Sequence, residues 1–394
     1  MMEYKLAELF DLQMGKTPSR NNPLYWNSND NAWVSIADLS ETDGKYVTRT
    51  KEFLTDKAVV ESGIKKIPAN TVIMSFKLSI GKVAITPVAM YSNEAIMAFI
   101  DKGIEKIVPD YLYYLFLHKN WNKGTNKAVM GITLNKKILS DTSIYLHSIE
   151  EQKAIIEILD KVTDLIAKRK SQLLALDDLI KARFVEMFGD PIKNPKEWPV
   201  FLIEDVVAKE KNALKAGPFG SDLRKEYYVN SGYKIYGQEQ VIRENPFFGD
   251  YYISEEKFKQ LENCSVQAGD VLISLVGTYG KLLIIPEQFE PGIINPRLMK
   301  ITFDKTKVNP YYFKYFFQSE ALKRALADNT HGGTMDILNL GIVRKLRLPL
   351  PPLKFQNDFN VFIKQIDKSK VVYLKAARKY HKQSKVVEMK MSQC

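Results

Sequence analysis

The sequence predicts an α+β chain built from two similar mixed α/β units, each followed by a long helix. Three observations carry this. The chain has 394 residues, more than one ordinary domain holds. A block near position 70 returns near position 270. A helix-period apolar seam follows each copy.

The repeat is the strongest of the three. Ala69-Asn70-Thr71-Val72-Ile73-Met74-Ser75-Phe76, followed by Ile80-Gly81-Lys82-Val83-Ala84-Ile85, has a counterpart 199 residues on. That counterpart is Ala268-Gly269-Asp270-Val271-Leu272-Ile273-Ser274-Leu275, followed by Tyr279-Gly280-Lys281-Leu282-Leu283-Ile284. Both read as strand, turn with Gly-Lys, strand. Downstream, the aromatic runs Val108 to Phe116 and Val308 to Phe316 match at an offset of 200. A Pro beside Asp110 or Asn309 opens each as a helix. Leu134-Asn135 matches Leu338-Asn339, and Ile149 to Gln152 matches Leu353 to Gln356, both at 204. Collinear order over such a distance signals two related domains, because solenoid repeats are far shorter.

After the first copy, Ile155, Leu159, Val162, Ile166, Leu173, Leu176, Ile180 and Met187 fall on alternating steps of four and three, interrupted by Arg169 and Arg183. This is a heptad seam. After the second, Phe359, Phe362, Ile366, Tyr373, Ala376, Tyr380 and Val387 keep the same steps, with Ser369 and Gln383 on the seam. Two such helices in one chain pack most simply on each other; pairing with a second copy is the competing arrangement. Gly189 and Pro191 stop the first helix. The predicted organisation is a unit over 1–148, a helix over 149–188, a unit over 189–352 with an entry linker at 189–199, and a helix over 353–394.

Composition narrows the function. Lys+Arg 57 against Asp+Glu 46 gives a net charge of +11, which favours a polyanionic partner. A basic protein without such a partner is the competing reading. Cys264 and Cys394 are the only cysteines, which excludes a disulfide framework or zinc ribbon and suits a reducing compartment, the cytoplasm. The start of the chain does not read as a signal peptide, and no stretch nears the ~20 apolar residues of a membrane span. Leu282 to Ile285 reads as a buried strand.

Particular motifs then acquire meaning. They are Gly15-Lys16-Thr17-Pro18-Ser19-Arg20 with Trp26 and Trp33, Phe184-Val185-Glu186-Met187-Phe188-Gly189-Asp190-Pro191, Gly217-Pro218-Phe219-Gly220-Ser221, and Pro349-Leu350-Pro351-Pro352-Leu353 with Gln356. On these residues the chain resembles, over essentially its full length, the specificity subunits of type I DNA restriction-modification systems. Tyr145-Leu146-His147-Ser148-Ile149 departs from the family's Pro-rich helix entry.

The resemblance implies two target-recognition domains related by pseudo-twofold symmetry, separated by two long antiparallel coiled-coil helices. Each domain would read one half of a bipartite, asymmetric site in double-stranded DNA. The helices would fix the gap: about 38 residues at ~1.5 Å each span on the order of 57 Å, more than one DNA turn of ~34–36 Å. It also implies methyltransferase subunits and restriction subunits as partners, which would hold S-adenosylmethionine, ATP and Mg²⁺. No cofactor is expected in this chain.

Signs of chemistry within the chain are few. Asn309-Pro310-Tyr311-Tyr312 lacks the second Pro of an adenine-methyltransferase loop and reads as a helix start. Asp250 with Glu255-Glu256-Lys257 is too closely spaced for a nuclease set and reads as a charged turn. His118, His147, His331 and His381 show no ligand spacing, and Gly332-Gly333-Thr334 lacks the Lys of a phosphate-binding loop. The expectation is a non-catalytic subunit. A self-contained restriction-methylation enzyme and a coiled-coil nucleic-acid-binding scaffold are the alternatives.

Base and phosphate contacts need exposed Arg, Lys, Asn, Ser and Thr on loops. The candidates in the first copy are Lys16, Thr17, Ser19, Arg20, Asn21 and Asn22, then Lys77, Ser79 and Lys82 at the repeated turn. In the second they are Lys215, Ser221, Arg224 and Lys225, then Thr278, Tyr279 and Lys281, with Arg297 and His331. An ordinary solvated side chain is the competing reading at each. Gly81-Lys82 and Gly280-Lys281 recur, and two copies that read different bases share phosphate contacts or turn geometry rather than specificity. The basic last helix, including Lys364, Lys368 and Lys370, reads as a solvated face or as a surface for DNA or an acidic partner.

Overall fold

The computed structural model describes residues 2–26, 28–77, 79–121, 134–275, 281–328 and 338–392; beyond residue 371, the only side chain described is that of Tyr373. The chain forms two compact units, Met1–Lys170 with Leu374–Cys394, and Ser171–Tyr373. The two long helices, Ile149–Phe188 and Leu353–Ser392, each contribute residues to both. Among the described residues no helix is long and apolar enough to cross a membrane.

The first unit is organised by a four-stranded antiparallel sheet in the order Phe10–Met14, Ile96–Asp101, Val72–Ser75, Val83–Ile85. Successive side chains of a strand point to opposite faces. Val72 and Met74 accordingly enter one core, with Tyr111, Phe116 and Leu159, while Ile73 enters another, with Val34, Leu39 and Met90. Burial on both faces explains why residues 72–74, Val83–Ile85 and residues 96–99 read as continuous apolar runs, while the edge strand Phe10–Met14 alternates. A second sheet places Asn31–Val34 between antiparallel Glu52–Leu54 and parallel Tyr91–Ser92. Met2–Lys5 pairs with Ser143–Leu146, just before the long helix.

The second unit repeats this strand for strand. Its main sheet runs Leu214–Ala216, Leu298–Ile301, Val271–Ser274, Leu282–Ile284, again antiparallel throughout. Its other sheet sets Tyr233–Tyr236 between antiparallel Tyr252–Ile253 and parallel Gly292–Ile294, with Tyr228–Val229 added at the edge. Val200–Leu202 pairs with Arg347–Pro349 before the second long helix. The repeated sequence blocks are therefore equivalent hairpins, and the Leu-Asn pairs are equivalent caps: Asn135 and Asn339 each accept an N–H three residues on, at 2.9 and 3.0 Å. In the run Leu282 to Ile285, read from the sequence as a buried strand, Leu282–Ile284 is strand; Leu282, Leu283 and Ile285 are buried and Ile284 is half-buried.

Both long helices are locked to their own units by a buried glutamine. Gln152 accepts from Val108 N–H at 3.0 Å and donates to the carbonyls of Lys106 and His147 at 3.0 Å. Gln356 accepts from Asn309 N–H at 2.8 Å and donates to Lys307 and Pro351 carbonyls at 2.9 and 2.7 Å. The first helix opens on a Ser148–Glu151 capping box instead of prolines, so its departing entry sequence reaches the same end by other means.

Within the second unit the helices run antiparallel. Going up the first from Asp177 through Arg183 to Phe184, the partners descend the second from Lys370 through Phe362 to Phe359. Phe184, Phe188, Tyr312, Tyr315 and Phe359 form one aromatic cluster there. Every predicted seam position from Ile155 to Met187 is buried or half-buried, Arg169 and Arg183 included. Lys370, predicted as part of a solvated or partner-binding face, instead pairs with Asp177 at 2.6 Å.

Within the entry linker 189–199, Trp198 donates to Phe188 O at 3.1 Å, its backbone pairs twice with the Asn194 side chain, and Lys196 caps Glu186 O at 2.8 Å. One local expectation is corrected. Glu255-Glu256-Lys257 is not a turn but the start of helix Glu255–Gln260, capped by the Ser254 hydroxyl at 3.2 Å. Acidic residues favour that position because they face the positive end of the helix dipole. Asn309-Pro310-Tyr311-Tyr312 is a helix start, with Asn309 Oδ1 accepting from Tyr311 N–H at 2.9 Å and Tyr312 buried.

Candidate nucleic-acid interface

Antiparallel pairing decides which loops meet. In the first unit Met14 pairs with Met97 and Ser75 with Ile96. The loop after Met14, the turn after Ser75 and the loop before Ile96 therefore share one end of the main sheet. In the second unit Ala216 pairs with Met299 and Ser274 with Leu298, so the corresponding loops share the corresponding rim. Segments some 60 to 80 positions apart in sequence converge at each rim. They carry most of the described polar candidates picked from the sequence.

A glycine makes each convergence possible. Gly15 N–H donates to Ile96 O at 3.2 Å and Gly217 N–H to Leu298 O at 2.9 Å. A Cβ on Gly15 would lie 2.2 Å from Asn93 O, and one on Gly217 would lie 1.9 Å from Asn295 O. Asn93 and Asn295, absent from the sequence candidates, fold the facing loop. Their side chains accept from Ala95 and Arg297 N–H at 3.0 and 2.9 Å. Both asparagines stand 78 residues after their glycine, a spacing the sequence carries in both copies.

In the first unit Thr17 meets Glu94, with the charges of Lys77 and Arg20 nearby. The Thr17 hydroxyl donates to Glu94. Burial alone would raise the Glu94 carboxyl, but the Thr17 hydroxyl, the Glu94 backbone N–H and the charges of Lys77 and Arg20 outweigh it and hold Glu94 below the ordinary range. Arg20, exposed, is already engaged within the unit. It forks onto Glu52 and lies 3.8 Å from the Trp26 ring centre. Lys16 reaches the Ser62 carbonyl, while Ser19 and Asn21 are exposed. Asn22 is spent on a cap, accepting from Leu24 N–H at 3.1 Å. At the turn, Ser79 and Lys82 are exposed and Gly81 sits at φ +82°, a left-handed position that favours glycine.

In the second unit Ser221, Arg224, Lys225 and Lys281 are exposed. Arg297 is exposed and donates to Gln238 at 3.3 Å, and Gln238 donates to Ser274 Oγ at 2.8 Å. Gln238, another residue the sequence did not flag, thus links Arg297 to the central strand. Lys215 departs from the group: it lies in strand Leu214–Ala216, half-buried. Thr278, Tyr279 and His331 lie outside the described residues. Of the described histidines, His147 is held by Tyr111 OH at 2.7 Å and serves packing. Among the described residues, no group of His, Cys, Asp and Glu could hold a metal ion.

A pair of like folds, each with a polar rim, narrows the family, and a family model decides it. The model for the type I restriction modification DNA specificity domain matches residues 1–175 and again 195–380. The chain belongs to that family. As a specificity subunit it supplies DNA sequence specificity, and the doubled match coincides with the doubled topology. It is similar to the MjaIX specificity subunit of Methanocaldococcus jannaschii, 22% identical over 388 residues that cover 92% of this chain and 85% of the relative. It is 32% identical over 170 residues to the EcoR124I/EcoR124II specificity subunit of Escherichia coli, covering 41% and 40% of the two chains. Its fold matches a chain solved in a study of type I restriction-modification complex assembly, with a TM-score of 0.65, 15% identity and coverage of 99% and 97%. It also matches the specificity subunit of M. genitalium, with a TM-score of 0.52, 13% identity and coverage of 99% and 95%.

Proposed function

We propose that each unit of this specificity subunit reads one half of a split, asymmetric DNA target through the rim of its main sheet. The observation that carries this is the convergence of chain-distant polar loops on equivalent rims. Equivalent topology with different rim residues suits two half-sites of different sequence. On the first rim Lys16, Ser19, Asn21, Lys77, Ser79 and Lys82 face DNA, with Thr17 and Arg20 shaping the loop. On the second, Ser221, Arg224, Lys225, Lys281 and Arg297 do so, with Lys215 behind them; Thr278, Tyr279 and His331, outside the described residues, complete the proposed DNA contacts on sequence grounds alone. Lys82 and Lys281 hold phosphates, and the copy-specific residues read bases.

The long helices act as the ruler for the gap and as the docking surface for methyltransferase subunits, with restriction subunits joining the full complex in the cytoplasm. Chemistry resides on those partners, with S-adenosylmethionine, ATP and Mg²⁺; this chain contributes none. Methylome sequencing of a host carrying the chain with its methyltransferase subunit tests this. A split motif methylated once in each half is expected, and a continuous palindrome overturns it. Methyl transfer by the purified chain alone would favour a self-contained enzyme, and preference for RNA over duplex DNA at equal salt would favour a scaffold.

A further inference from the structure

We propose that Phe219 is an apolar wedge that enters the stacked bases of the half-site read by the second unit, an inference that rests on that rim facing DNA. Phe219 is 81% exposed, the most exposed aromatic among the described residues. It is not a slack loop residue. Gly217 N–H is tied to Leu298 O at 2.9 Å, Pro218 is buried, and Phe219 O accepts from Asp222 N–H at 2.9 Å. A fixed turn therefore carries the ring outward, so little backbone freedom is lost on binding.

The first unit shows what the position does otherwise. Counting from Gly15 and Gly217, Thr17 stands where Phe219 stands, and Glu94 where Pro296 stands. Thr17 donates to Glu94 and closes its loop. Neither Phe219 nor Pro296 has a side chain that can make that bond, so the second rim presents a ring in place of a hydroxyl. Lys215 and Lys257 line a cavity of about 380 Å³ together with Phe219. Their charges suit phosphates flanking the wedge, and Arg224 and Lys225 follow on the exposed turn. Apolar side chains inserted between base steps unstack and kink DNA, most cheaply at pyrimidine–purine steps. The second half-site therefore contains such a step opposite Phe219, and the first half-site is not kinked in this way.

The test uses the full chain assembled with its methyltransferase subunits and a duplex carrying the methylome-defined target. 2-Aminopurine is scanned through each half-site. Wild type raises fluorescence at one step of the second half-site. Phe219→Ala abolishes that rise and weakens specific binding about 10- to 100-fold, with the salt dependence unchanged and with Phe219→Trp restoring both. Phe219→Ala that binds and fluoresces like wild type overturns the wedge, provided Arg224→Ala and Lys281→Ala weaken binding. Indifference to all three overturns the rim reading together with it. A loss reproduced by replacing thymine with uracil, with no fluorescence change in wild type, assigns Phe219 to a thymine methyl and overturns the wedge.

Discussion

The side-chain oxygen of Gln356 accepts a hydrogen bond from the backbone N–H of Asn309 at 2.8 Å, across 47 residues of sequence. The same side chain donates to two carbonyls, and Gln152 does the same in the first unit. A long helix is thus fastened to the preceding domain at its first turn by one amide with all its partners present. Gln356→Ala strands a donor and two acceptors in a buried site. The expected loss is roughly 1–3 kcal/mol for each group that water does not reach. Urea unfolding monitored at the second unit checks it, and an unshifted midpoint would refute the role.

Phe184 lies 5.6 Å from Phe359 and 5.7 Å from Tyr312 between ring centres, and all three are buried. Phe184→Ala is expected to cost about 3–5 kcal/mol, as for other large-to-small core changes. Phe359→Ala should behave alike. Because the rings share neighbours, the double variant should fall short of the sum by about 0.5–3 kcal/mol. Denaturation of the four chains measures this; strict additivity would show that the rings act independently.

Gly15 and Gly217 test the rims separately. Alanine at either position drives a Cβ into a backbone carbonyl, so the crossing loops must part. Gly217→Ala is expected to weaken recognition of one half-site and Gly15→Ala of the other. Binding to targets scrambled in one half at a time reports which. Equal loss on both halves would mean that the variants act through global stability.

His147 makes the first unit sensitive to acid. Burial lowers its affinity for a proton, and the opposing pull of Glu151 is smaller. The folded value is therefore depressed below the ordinary histidine value of about 6.5. For a depressed histidine, stability is fully present above the unfolded pKa and declines as pH falls through 6.5 towards the folded value. His147→Gln, which does not titrate, should flatten the fall in melting temperature of the first unit between about pH 7 and pH 5. An identical slope in wild type and variant would sink this assignment.

The candidate residues were legible as loop chemistry but not as a site. Their relation depends on which strands pair, and antiparallel pairing brings residue 14 beside residue 97 and residue 216 beside residue 299. Nothing within either loop announces this. Arg20 shows the limit most clearly: the sequence presents a loop arginine, and only the fold reveals that Glu52 and Trp26 occupy it. Glu94 and Gln238 went unnoticed because an acid and an amide acquire meaning only from what they touch.

By itself the sequence determined the two-copy organisation, the long helices, the seam of the first of them and the strand-turn-strand hairpins. All of these arise from local periodicity and from a repeat that needs no spatial information. The tertiary structure alone decided that the main sheet lies between two cores, that buried glutamines fasten the helices, that residues 189–199 are pinned to a helix end, and that one rim of each sheet gathers the polar loops. These depend on contacts between residues far apart in the chain, whose energies come from burial and from the geometry of buried hydrogen bonds, and local pattern encodes neither.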